Sequence, residues 1–203
     1  MKEISRCSRE FIKRRRVHGR YLVVHTGKVT EAEYLSALKS QLYNGALTVR
    51  YEKNLADCVQ FAISEGSKAL RQGDAFDKIF IVDDVDGRES GQLCELCKLP
   101  EDNVLPIEII FSNPCIEVWF LCYINKVNSR AGTISGAQGL AKKHGLIGGK
   151  NDKKVKGNLE KHRDAIIVAK RLRNTYGDDV MVCSPTTDMD LMIRDLLKDL
   201  RDS

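Results

Sequence analysis

Ile79-Phe80-Ile81-Val82-Asp83-Asp84-Val85-Asp86-Gly87 sets four apolar residues directly before three carboxylates. The β-branched and aromatic run predicts a strand buried on both faces. Carboxylates cannot continue such a strand inside a core without partners. They are therefore expected at the mouth of a sheet, facing water, a cation or a substrate. Two carboxylates ~4 Å apart repel by roughly 4 kcal/mol at an effective dielectric of about 20. A divalent cation removes that penalty, and an all-oxygen ligand set suits Mg²⁺ or Mn²⁺. The plainer alternative is a solvated acidic loop behind a core strand.

Around this strand the pattern alternates. Tyr21-Leu22-Val23-Val24 predicts a first strand, followed by a helix over 31–42 in which Tyr34, Leu35, Leu38 and Leu42 recur at helical spacing. Thr30 and Glu33 have the spacing of a capping box, a cap typically worth ~1 kcal/mol. A second strand is expected over 46–51 and an amphipathic helix over 55–71. After the acids come a short helix over 89–98 and a buried strand over 107–111. Ser112-Asn113-Pro114 then stops that strand before an apolar helix over 115–124, which holds the only tryptophan. Residues 125–157 are rich in Gly, Lys, Asn and Ser, with helical pattern only near 135–143, and two closing helices are expected over 158–174 and 188–201. Strands alternating with helices of this length imply a mostly parallel, doubly wound α/β sheet with extra C-terminal helices.

At 203 residues the chain is long enough for one sizeable α/β domain. No apolar run approaches the ~18 residues of a membrane span, and the basic start is not followed by the apolar segment of a secretory signal. The net charge of +5 is uneven: residues 1–20 hold eight basic groups against Glu3 and Glu10, which leaves −1 for the remainder. Within that remainder, residues 141–173 hold eleven basic groups against Asp152, Glu160 and Asp164. Basic patches beside a carboxylate site suit a polyanion such as DNA or RNA, gripped by its phosphates. Arg14, Arg15, Arg16, Lys142 and Lys143 are the candidate contacts, and the plainer reading of the arginine run is a solvated arm.

The seven cysteines are odd in number and scattered. Cys58, Cys115 and Cys122 lie in apolar context, as expected of small buried hydrophobes in a reducing, cytoplasmic compartment. Cys94-Glu-Leu-Cys97 is a single CxxC, and His18, His25, His144 and His162 are not at zinc-ligand spacing. Helix-face cysteines are the better reading.

In a doubly wound sheet the functional groups gather beyond the carboxyl ends of the strands. Three ends are chemically loaded: His25-Thr26-Gly27-Lys28-Val29-Thr30-Glu31, Asp83-Asp84-Val85-Asp86, and Ser112-Asn113-Pro114 with Glu117. If neighbouring strands carry them, Glu31, Asp84 and Asp86 converge on one cation. Lys28, near a helix N-terminus, is placed to hold a phosphate, although an exposed turn lysine is an equal reading.

The segments LVVHTGKVTEAEYLSAL, FIVDDVDG and SNPCIEVWFL, with NLEKHRDAIIVAKRL and SPTTDMDLMIRDLL near the end, resemble the RloB-like proteins associated with abortive phage resistance. The resemblance spans roughly residues 20–200 and implies a Toprim-like fold. Charge and length divide the chain into a basic arm over 1–20 and one α/β domain over 21–203. The resemblance adds to this reading. It also implies a Mg²⁺-dependent phosphodiesterase site acting on nucleic acid, and a neighbouring ATPase of the defence locus as a partner. Asp84-Val85-Asp86 matches the Asp-x-Asp of Toprim sites and Glu31 matches their second acid, so these three become the catalytic and metal-ligating candidates. The first glutamate is missing, because Thr26-Gly27 stands where Glu-Gly is expected. A hydroxyl brings no negative charge and cannot act as a base near neutral pH. Weaker metal affinity follows, and Thr26→Glu is expected to restore it. His25, beside the gap, has an ordinary pKa of about 6.5 suited to a base. His25, Thr26, Asp83, Ser112, Asn113 and Glu117 are the residues that can line the same mouth.

Two other readings are weaker. A nucleotide-binding loop needs G-x-x-x-x-G-K-[ST], but Leu22 stands at the first glycine and Val29 follows the lysine. A phosphoacceptor signalling domain has its paired acids after the first strand, not the third. The serious alternative is a Toprim-like module that binds nucleic acid or a partner and has lost catalysis, for which Thr26 is the main support.

Overall fold

The structure, a computed structural model, describes residues 19–42, 47–88, 90–101, 104–148 and 161–201. Arg14, Arg15 and Arg16 lie outside the described residues, as do most of the basic arm and the stretch 149–160. The strands are β1 (Tyr21–His25), β2 (Leu47–Tyr51), β3 (Lys78–Asp84), β4 (Ile107–Asn113) and a two-residue β5 (Thr186–Thr187). The helices are α1 (Thr30–Leu42), α2 (Leu55–Arg71), α3 (Ser90–Glu101), α4 (Glu117–Cys122), α5 (Ile134–Lys143), α6 (His162–Tyr176) and α7 (Met189–Arg201). A 3₁₀ turn, Ser129–Gly132, precedes α5.

The strands form one sheet in the order β2-β1-β3-β4-β5. The first four are parallel and β5 runs antiparallel to β4. Strand alternation divides the apolar residues between two faces. Tyr21, Val23, Phe80, Val82 and Ile110 pack with α1, α4, α5, α6 and α7, whereas Leu22, Val24, Ile79, Ile81 and Phe111 pack with α2 and α3. This is the Toprim-like, mostly parallel doubly wound sheet with additional C-terminal helices that the pattern predicts. The two-residue β5 is a finding of the structure, too short to leave a period in the sequence.

Helix α1 begins at Thr30, because the Glu33 N–H donates to the Val29 carbonyl. Thr30 is thus inside the helix rather than its cap, and the expected capping box does not form. α4 is shorter than expected at Glu117–Cys122, yet every one of its residues is buried. Cys58, Cys115 and Cys122 are buried hydrophobes, as read from their context. Cys94 and Cys97 lie on α3, and none of the six described cysteines forms a disulfide.

The face built by α1, α4 and α6 contains a polar chain within its core. The Trp119 indole N–H donates to the Tyr34 hydroxyl at 2.8 Å, which is 3.0 Å from the Tyr123 hydroxyl, itself 2.6 Å from His162 Nδ1. All four groups are buried, so each bond offsets a desolvation cost of about 1–3 kcal/mol. His162 Nε2 is the one buried side-chain polar atom without a partner among the described residues. Burial pushes the His162 pKa down to about 4 from 6.5. Nearer the other edge, Arg173 grips Asp190 through two bonds of 2.6 and 2.7 Å and donates to the Thr187 carbonyl, tying α6 to the start of α7.

A depressed histidine pKa contributes stability that is complete above pH 6.5 and lost as pH falls toward about 4. His162→Gln removes this titration. Over that window wild type should lose roughly 3 kcal/mol relative to the variant, measured by urea unfolding at a series of pH values.

Candidate active site

The sheet order places β1 beside β3 and β3 beside β4, so the three loaded strand ends share one rim. Alternation then separates the two adjacent aspartates. Asp84 follows Phe80 and Val82 toward α1 and α4, while Asp83 follows Ile79 and Ile81 toward α2. Glu31 enters from the first turn of α1 and Glu117 from the first residue of α4, where an acidic side chain also favours the helix dipole. Glu31, Asp84 and Glu117 therefore approach from three separate elements on one face.

Their electrostatics record that approach. The Asp84 carboxyl is held well above the usual carboxylate range, first by burial and then by repulsion from Glu31, Glu117, Asp83 and Asp86. Glu31 is also raised, chiefly by burial, with Glu117 and Asp83 adding repulsion that its own backbone N–H partly offsets. Glu117 is buried, and the neighbouring Cys115 thiol is pushed up first by burial and then by the charge of Glu117 and the hydrogen bond between them. A Cβ built on Gly27 would lie 1.8–2.0 Å from the Glu31 carboxyl atoms. Only glycine at 27 leaves room for the acid to lie against the β1–α1 turn.

Asp86 sits on an exposed turn with φ 48°, followed by Gly87 at φ 71°. Asp tolerates the left-handed region better than most side chains. The turn is fastened by two backbone bonds of 2.9 Å, Val85 N–H to the Ser112 carbonyl at the end of β4 and Asp86 N–H to the Pro114 carbonyl just beyond it.

The remaining predicted residues divide differently. Asp83 is buried and paired: its Oδ1 accepts from the Thr26 hydroxyl and its Oδ2 from the Arg88 guanidinium, both at 2.6 Å. Thr26 is thus occupied by Asp83 on the far side of the sheet from Asp84. The Ser112 hydroxyl is 2.8 Å from that of Thr187, and the Asn113 amide donates to the Val180 carbonyl at 2.8 Å. Both side chains secure β5 and its approach and do not line the mouth. His25 is 2% exposed and its Nδ1 lies 3.0 Å from the Gly27 carbonyl. A carbonyl only accepts, so Nδ1 carries the proton. Burial lowers the pKa of this imidazole, with the Gly27 carbonyl opposing, and no site carboxylate contributes. His25 thereby holds the β1–α1 turn through Nδ1. Lys28 is exposed at the start of α1, beside a groove of about 540 Å³ lined by Val29, Ala32 and Glu33 among others. Lys142 and Lys143 are exposed in the last turn of α5.

Arg88 is the residue that the sequence reading missed. Nothing in its spacing marks it, because its acceptors are brought together by the turn itself. The donor chemistry of Glu31, Asp84 and Glu117 fits a hard divalent cation: three carboxylates, partly desolvated, with raised pKa values at two of them. Among the described residues no three His, Cys, Asp or Glu side chains stand close enough together to hold a metal ion as placed. The structure therefore gathers the charge at one rim without drawing the carboxylates onto a common point.

The family model for RloB-like protein matches residues 21–196, which takes in every element from β1 to the greater part of α7. No curated protein and no solved structure matches the chain. The strand-end acids, the Asn113-Pro114 stop leading to buried Glu117, and α6 with most of α7 fall within the matched span. This chain is a member of the RloB-like family.

Proposed function

We propose that the protein is a Mg²⁺- or Mn²⁺-dependent phosphodiesterase that cleaves nucleic acid, with the role in anti-phage defence that the family resemblance implies. The observation that supports this best is the gathering of Glu31, Asp84 and Glu117 along one sheet edge, near enough for Asp84 to be repelled by both glutamates. A fold that keeps such repulsion does so at a cost to stability, which a bound cation would offset. Asp84 and Glu31 would hold the cation, with Glu117 as a third carboxylate and Asp86 reaching in from its turn. When bound, the cation supplies Lewis-acid polarisation of the scissile phosphate and the attacking water. Glu31, at the first turn of α1, would orient the attacking water through the carboxylate oxygen that does not hold the cation. Lys28, Lys142 and Lys143 would bind the phosphate backbone, Lys28 beside the α1 N-terminus where anions are favoured.

The second reading is a Toprim-like binding module for nucleic acid or for the ATPase of the locus. It is favoured by Thr26 in place of a glutamate and by the absence of a closed donor set among the described residues.

The two raised carboxyls make a stability test. Their contribution is fully present below the ordinary values of 3.8 for Asp84 and 4.5 for Glu31, and it is lost as pH rises through the folded-state values. Metal-free Asp84→Asn should consequently melt above wild type at neutral pH and converge with it in acid. Mn²⁺ at a hundred times its dissociation constant should add ~2.7 kcal/mol to wild type and little to the variant. Calorimetry at pH 4 and pH 7, with and without Mn²⁺, reads both.

Incubation with mixed single- and double-stranded DNA and RNA should show Mn²⁺-dependent cleavage that Asp84→Asn and Glu31→Gln abolish. Binding that persists in EDTA and in both variants, without cleavage in any metal, would favour the binding module. Affinity should fall steeply with salt, and Lys142→Ala with Lys143→Ala should flatten the log–log slope by about 1–2.

A further inference from the structure

We propose that Arg88, acting with Asp83 and Thr26, is a positioning residue that sets the Asp84–Asp86 turn of this site. The proposal rests on the phosphodiesterase reading and deepens it. The Arg88 guanidinium spans three consecutive residues: Nη2 donates to the Asp83 carboxylate at 2.6 Å and to the Asp84 carbonyl, and Nε donates to the Val85 carbonyl at 3.3 Å. Its own backbone N–H donates to the same Val85 carbonyl at 2.9 Å. Asp83 in turn accepts from the Thr26 hydroxyl, which links the turn to the end of β1.

The opposite side of the turn is already tied to the end of β4 and to Pro114 beyond it through the Val85 and Asp86 N–H groups. Donors of the turn are thus satisfied by backbone and acceptors by one arginine. That division suits a segment that leaves the strand through two successive left-handed residues, Asp86 and Gly87, where sheet pairing can no longer dictate its path. Asp83 has only 5% of its side chain exposed, so its charge requires the guanidinium. The Nη2 and Nε atoms are occupied by the protein, and the effect of Arg88 on the metal-binding acids passes through the backbone between them.

This arrangement changes the meaning of Thr26. A glutamate at 26 would set a second carboxylate against Asp83, in place of the hydroxyl that now donates to it. Thr26→Glu should accordingly weaken the site, the reverse of what the missing-glutamate pattern alone implies.

The discriminating variant is Arg88→Lys. It keeps the charge beside Asp83 but lacks the planar fork needed to reach the carboxylate and two carbonyls together. Mn²⁺ affinity of the full chain is measured by electron paramagnetic resonance, alongside thermal midpoint and amide exchange at Val85 and Asp86. Arg88→Lys should lower Mn²⁺ affinity about 10–100-fold, as loss of partners behind a ligand does, and speed exchange at both amides. Its melting point should remain within a few degrees of wild type. Thr26→Val should weaken Mn²⁺ binding in the same direction, and Thr26→Ser should retain wild-type affinity; this pair carries the test if Arg88→Lys does not fold. Wild-type Mn²⁺ affinity in both Arg88→Lys and Thr26→Val would overturn the proposal while leaving the phosphodiesterase reading intact. Arg88→Lys that binds Mn²⁺ normally but binds oligonucleotide poorly would overturn it too, because Arg88 would then be a phosphate contact. A wild-type protein that binds no Mn²⁺ would remove the phosphodiesterase reading itself, and the positioning role with it.

Discussion

The structure depends on how a strand buried on both faces ends in adjacent carboxylates. Asp83 and Asp84 cannot both face the same environment, since successive side chains of β3 point to opposite sides. The fold handles them in opposite ways. Asp83 is neutralised by Arg88 and Thr26 on the α2 side, and Asp84 stays uncompensated on the α1 and α4 side, where Glu31 and Glu117 add to its repulsion. One carboxylate holds the rim together, and the other leaves negative charge gathered on its opposite side.

This asymmetry explains why the rim can carry like charges at all. Each charged element is anchored by backbone rather than by the acids themselves. The β3 turn is bonded to Ser112 and Pro114, α1 starts from the Val29 carbonyl, and α4 is buried along its whole length. Behind them lies the Trp119–Tyr34–Tyr123–His162 chain, which connects α1, α4 and α6 through directional bonds in the core. Apolar contacts set how closely these helices pack, while hydrogen bonds of this kind select one relative placement. Glu31 and Glu117, each at the first turn of a helix in that group, inherit their positions from it.

Several residues marked as reactive by their type turn out to serve the scaffold. Ser112 and Asn113 bond to neighbouring segments through their side chains, and His25 bonds through Nδ1 to its own turn. The end of a parallel strand is where the chain must turn, and turns need side-chain donors and acceptors as much as active sites do. Residue type and location at a strand end therefore do not separate a turn-holding residue from a site residue. The partner of each polar atom does.

From local pattern alone, the alternation of strands and helices, the faces of α2 and α7, the buried cysteines and the acids at the end of β3 were all legible, because period and apolar clustering are properties of neighbouring residues. That Glu31 and Asp84 would share a rim also followed once their strands were taken as neighbours. Three matters were settled only in the folded chain. Asp83 and Asp84 part company because pleating turns one of them to Arg88. Glu117 joins the site because α4 starts directly above it. Thr26 reads as a gap in a motif until the hydroxyl is seen to meet Asp83, 57 positions away in the chain. Such pairings are set by sheet register and helix docking, and no spacing along the chain encodes them.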